Sequence, residues 1–168
     1  ARHAALAGGD HEEDDGKITI RGYQNTKSGC AKTKITIPTT IDNKPVDSIY
    51  FYNYNCDNQI FSSIVTEVDF SKATELTTLE EMDDFQYCSE KPIIKTFDLV
   101  NTKLTSIELW FGQQVLGIEN IKLPSTITSL HEYTFAGSLK TLYIDKPEGS
   151  IEGAPWGLTN TVITYKQG

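Results

Sequence analysis

Short bursts of alternating polar and apolar residues organise this chain. Lys17-Ile18-Thr19-Ile20 is the first, and Lys34-Ile35-Thr36-Ile37-Pro38, Glu67-Val68-Asp69-Phe70-Ser71 and Thr96-Phe97-Asp98-Leu99-Val100 follow it. Asn120-Ile121-Lys122-Leu123-Pro124 and Thr141-Leu142-Tyr143-Ile144-Asp145 continue the series. A two-residue period sends one set of side chains into a core and the other toward solvent, so each burst predicts a half-buried β-strand. Another apolar residue stands three places before the first apolar position of several bursts: Val65, Ile94, Ile118 and Leu139. Some residues after each burst comes a second apolar pair, Val46 with Ile49, Leu76 with Leu79, Leu104 with Ile107 and Ile127 with Leu130. An aromatic then follows, at Tyr54, Phe85, Phe111 and Phe135.

Equivalent strand residues Ile37, Phe70, Leu99, Leu123 and Ile144 are separated by 33, 29, 24 and 21 residues. A unit of this size cannot bury its apolar edge alone; stacked neighbours can, by forming one continuous ribbon of Ile, Leu, Val and Phe. The expected fold is therefore mainly β with short helical or irregular segments. It is a solenoid whose strands pair in a parallel ladder, with the second apolar pair and its aromatic on the opposite wall. Helix is expected only as a short piece around Ala73 to Asp84, where Glu75-Leu76-Thr77-Thr78-Leu79-Glu80-Glu81-Met82 has a suitable texture. Residues 1–16, with the charge run Asp10-His11-Glu12-Glu13-Asp14-Asp15, read as a disordered tail or linker. Residues 17–168 read as a single domain, in keeping with the 168-residue length.

Composition narrows the function. The net charge is −8, and Arg2 and Arg21 are the only arginines, so nucleic acid is not an expected partner. An acidic surface does not favour anionic membranes, and no apolar run reaches the roughly 18–20 residues of a membrane span. Residues Ala1 to Asp10 lack the apolar stretch of a signal peptide. Cys30, Cys56 and Cys88 have no CxxC pair and no histidine at ligand spacing, so structural thiols are expected rather than a metal site. One disulfide among them stays open.

These residues carry a resemblance. The segment Ile121-Lys122-Leu123-Pro124-Ser125-Thr126-Ile127-Thr128-Ser129-Leu130 through Phe135-Ala136-Gly137-Ser138-Leu139 resembles the BspA-like (Treponema pallidum type) leucine-rich repeat. Ile35-Thr36-Ile37-Pro38 with Asn43-Lys44-Pro45-Val46 looks like that family's opening unit, and Gly149 to Gly157 looks like its ending. Residues 50–63 and 85–92 are longer than the family's loop. The resemblance implies a leucine-rich-repeat solenoid on a bacterial surface or secreted protein. It would serve adhesion to a protein or glycan ligand on a host or neighbouring cell, as a monomer or weak dimer. It also implies that Cys88, and less closely Cys56, fill a loop position of the repeat.

Catalytic chemistry is thin. His131 is the one histidine within residues 17–168, no G-x-S-x-G elbow or phosphate-cradling glycine loop occurs, and a Cys88–His131 dyad has nothing to place it. Glu80-Glu81-Met82-Asp83-Asp84 is the densest carboxylate cluster but lacks the order of a calcium loop; a solvated face is the expectation. No catalysis, cofactor or metal is expected. The candidate binding surface is the outward set of strand positions: Lys34, Thr36, Glu67, Asp69, Thr96, Asp98, Asn120, Lys122, Thr141 and Tyr143. Tyr50 and Tyr52 join it, because Tyr50-Phe51-Tyr52-Asn53-Tyr54 packs too many rings to bury them all, and tyrosine is a good contact residue. Two further expectations compete with adhesion: a structural spacer in a larger surface protein, and a carbohydrate-processing accessory domain.

Overall fold

A computed structural model describes residues 9–23, 33–50, 65–80, 93–107, 117–135 and 139–168. The described residues are mainly β, and their strands fall into two lines of short, stacked segments. In the first line β3 (Lys34–Thr36) pairs in parallel with β6 (Glu67–Asp69). Then β8 (Thr96–Asp98), β10 (Asn120–Leu123), β12 (Thr141–Ile144) and β13 (Val162–Tyr165) form a four-stranded parallel sheet. The register is that of the sequence bursts: Asn120 lies opposite Thr96 and Thr141, and Thr141 lies opposite Val162. The hydrogen bonding runs on past the strand ends, with Leu99 N donating to Lys122 O at 2.9 Å and Lys166 N to Ile144 O at 3.0 Å.

The second line comes from the second apolar pairs. β5 (Lys44–Tyr50) pairs in parallel with β2 (Lys17–Tyr23) on one side and β7 (Thr78–Glu80) on the other. β9 (Ser106–Ile107) pairs in parallel with β11 (Ser129–Leu130). Two hairpins complete the described chain: β1 (Gly9–Asp14) on β2, and β4 (Thr40–Ile41) on β5. Between the lines lies one core. Ile37, Phe70, Leu99, Leu123 and Ile144 face in from the first line, and Val46, Ile49, Leu76, Leu79, Leu104, Ile107, Ile127 and Leu130 from the second. All are buried. Burying an aliphatic or Phe side chain contributes about 1.5–3 kcal/mol against exposure, and the repetition of such residues holds the stack.

Two expectations need correction. Residues 9–14, expected within a polar tail, form β1. Asp15 (φ 46°) and Gly16 (φ 73°) make the left-handed pair that a tight hairpin requires, while Glu12 meets Arg21 at 2.7 Å and Glu13 meets Lys44. The charge run is tied down by backbone pairing and ion pairs without any apolar packing of its own. The short helix around Ala73 to Asp84 is also replaced, over its described part, by turns and β7. Thr77 N donates to Asp47 O at 2.8 Å, and Leu76 O accepts from Lys103 N at 2.8 Å. The neighbouring units thus take backbone groups that a helix would have paired internally. Residues 81–84 lie outside the described ones.

The first line is interrupted once. Among the described residues no strand pairing joins β6 to β8, although the two are adjacent in the series. The rings of Phe70 and Phe97 meet beneath this step, 5.3 Å between centroids at 58°. Elsewhere in the line the equivalent inward positions hold aliphatics, such as Ile121 and Leu123, or Leu142 and Ile144, until the last strand, where the half-buried Tyr165 lies beside Ile144. Two phenyl rings side by side need more width than two aliphatic side chains, and the strands above them stand apart.

Candidate binding face

Each three- or four-residue strand of the first line turns its apolar position toward the core, fully buried in all but the half-buried β13, and its neighbours outward, so stacking brings the outward residues into columns. One column is Lys34 and Glu67, then, past the interruption, Thr96, Asn120, Thr141 and Val162; the other is Thr36 and Asp69, then Asp98, Lys122, Tyr143 and Thr164. The columns are knitted between turns. Lys34 Nζ lies 2.6 Å from Glu67 and 3.9 Å from Asp69, and Lys122 Nζ lies 3.0 Å from Asp98. The Asn120 amide donates to Thr96 Oγ1 at 3.5 Å, and its oxygen accepts from the Thr141 hydroxyl at 2.7 Å. Beside the columns Glu119 holds both Lys95, at 3.5 Å, and Lys140, at 2.8 Å.

The titrations follow these contacts. The hydrogen bond to Glu67, reinforced by the charges of Glu67 and Asp69, raises the Lys34 ammonium above its ordinary 10.5. Asp69 is lowered from 3.8, first by hydrogen bonds from the Ser71 hydroxyl and backbone N–H and then by Lys34. Glu119 is lowered from 4.5 chiefly by the hydrogen bond from Lys140. The Tyr143 phenol is raised above 10.0 by partial burial and by donating to Asp145 Oδ1, 3.0 Å away.

Two depressions open on this face. The larger, about 670 Å³, sits over the interruption and is lined by Lys34, Glu67, Asp69, Ser71, Lys95, Thr96, Asp98 and Asn101, with Val68 and Phe70 also contributing. The second, about 350 Å³, is lined by Asp98, Val100, Asn101, Lys122 and Tyr143. They share Asp98 and Asn101, so together they run across β6, β8, β10 and β12. Volumes of this order are those of small-molecule sites.

Of the sequence-predicted residues, Lys34, Glu67, Asp69, Thr96, Asp98, Lys122 and Tyr143 line the depressions, and Thr36, Asn120 and Thr141 flank them in the columns. Tyr50 is not brought to this face. It ends β5 in the other sheet, where Arg21 stacks 4.6 Å from its ring centroid. Tyr52 lies outside the described residues, as do Cys30, Cys56, Cys88 and residues 81–84. His131 is exposed, and its Nδ1 accepts from Tyr133 N at 3.3 Å.

Ser71, Lys95, Val100 and Asn101 line the depressions without having been anticipated. A usable signal was the aspartate that closes the outward pairs of β6 and β8. Asp69 accepts from Ser71 N at 2.9 Å and Asp98 from Val100 N at 3.3 Å, the local turn that aspartate favours; it folds the next residues back over the strand end. Among the described residues no group of three or more His, Cys, Asp or Glu is placed to hold a metal ion, and no helix is long and apolar enough to cross a membrane. No family model matches the chain, and searches of curated proteins and of solved structures returned no match.

Proposed function

We propose that the chain is a leucine-rich-repeat solenoid of the BspA-like kind, acting as a non-catalytic recognition module on a cell surface or in a secreted protein. The observation that carries this reading is the in-register outward face, where seven of the residues singled out in the sequence converge on two joined depressions. The parallel two-line stacking and the matching inward positions are what such repeats require. The loop around the buried Trp156, whose indole N–H donates to Glu152 O at 2.7 Å, sits where the family's array ends. The ligand is a protein or glycan of a host or neighbouring cell.

The test is binding of the chain to immobilised surface glycans and matrix proteins, repeated with Asp98→Lys and Lys122→Glu on the face and Lys103→Glu away from it. Binding lost only in the face variants is the expected result. Absence of any binding would favour the spacer reading, which has its own support: many outward charges are already engaged between turns.

A further inference from the structure

We infer that the trough formed by the two joined depressions takes an uncharged carbohydrate chain; this rests on the reading of the face as a recognition surface. The first argument is electrostatic. The carboxylates of the trough are matched by cations already in contact, Lys34 with Glu67 and Asp69, and Lys122 with Asp98. An ionic ligand would have to displace such pairs, whereas a neutral ligand meets a fixed array of donors and acceptors with little net field. Sugar hydroxyls both donate and accept, which suits an array of mixed polarity.

The second argument is geometric. At the junction of the depressions the exposed Asn101 amide makes no hydrogen bond with the rest of the protein among the described residues. An amide offers a donor and an acceptor on one plane, a match for two adjacent hydroxyls. One end of the trough has the half-buried Tyr143 ring beside the half-buried Val100. They offer an apolar surface for the C–H face of a pyranose ring, with the Tyr143 hydroxyl anchored on Asp145 so that the ring is held in place. The paired strands β8, β10 and β12 under the trough repeat at roughly 4.8 Å, and the outward groups repeat with them, which favours a chain of sugars over a single compact ligand.

The experiment uses the whole chain with a panel of neutral di- to hexasaccharides of glucose, galactose, mannose and N-acetylglucosamine, with anionic oligosaccharides alongside, read by array and calorimetry. Expected is binding of a neutral oligosaccharide that is indifferent to high salt and weakened roughly tenfold by Asn101→Ala or Tyr143→Ala. Glu75→Gln, away from the trough, should leave it unchanged, and thermal melts check that each variant is folded. A blank neutral panel overturns the inference, as does binding only to anionic sugars, or binding that ignores both Asn101→Ala and Tyr143→Ala. If the chain binds a protein through the face and the sugar panel is blank, the recognition reading stands and the carbohydrate inference alone fails. If neither binds, both fail.

Discussion

Thr134 is fully buried, and its hydroxyl oxygen has no hydrogen-bond partner among the described residues. A buried hydroxyl without a partner carries its desolvation penalty uncompensated, roughly 1–3 kcal/mol. Thr134→Val replaces it with a methyl group of nearly the same shape and keeps the branched Cβ, so no cavity opens. The expected change is a stabilisation of about 1–2 kcal/mol, or about 3–6 °C in Tm for a chain of this size. Thr102 supplies the opposite case. It is also buried, but its hydroxyl donates to Leu99 O at 2.8 Å, so Thr102→Val should cost about 0.5–1.5 kcal/mol. Leu99 O would still accept from Thr102 N at 3.0 Å, which keeps that cost modest. Urea unfolding and thermal melts of the two variants read the pair directly. Destabilisation by Thr134→Val, or shifts of the same sign in both variants, would refute the reasoning.

Other outcomes follow from the same geometry. Gly157 has φ 84°, and a Cβ there would lie 2.8 Å from Phe135 O; Gly157→Ala should cost on the order of 1–3 kcal/mol or more. Gly16→Ala, with φ 73° and open space around it, should cost less by the same urea assay. Leu123, completely buried under the four-stranded sheet, should lose about 2–5 kcal/mol on Leu123→Ala in equilibrium unfolding. For pH, Asp69 and Glu119 titrate below their ordinary 3.8 and 4.5 when folded. Their contribution is therefore complete above those values and is lost as pH falls through the lower folded ones. Stability followed by urea unfolding should decline from about pH 4.5 downward, and less steeply in about 1 M salt, because the pairs are exposed.

The repeat was legible because burial follows a strict period. The inward positions Ile37, Phe70, Leu99, Leu123 and Ile144, the preceding Val65, Ile94, Ile118 and Leu139, and the second apolar pairs are all core residues, and no local preference competes with them. What escaped was decided by the backbone. β1 has no apolar face, and its signal was the Asp15-Gly16 turn; Asp42 and Asn43, at φ 48° and 62°, make the equivalent turn between β4 and β5. β13 was missed because Val162 is exposed and Ile163 only half-buried, so its alternation is weak beside the others. The interruption between β6 and β8 depends on Phe70 meeting Phe97 from the next turn. Each residue is ordinary alone, and their conjunction appears only once the turns are stacked. The larger depression of the candidate site forms there, which is why Lys95 and Asn101 could not be read from strand alternation.

The most direct test of the stacked parallel register is NMR detection of couplings through backbone hydrogen bonds. Couplings are expected from Leu99 N to the Lys122 carbonyl, from Val162 N to the Lys140 carbonyl and from Lys166 N to the Ile144 carbonyl, with none linking β6 to β8. Couplings in antiparallel order among β8, β10, β12 and β13, or a continuous ladder across β6 and β8, would contradict it.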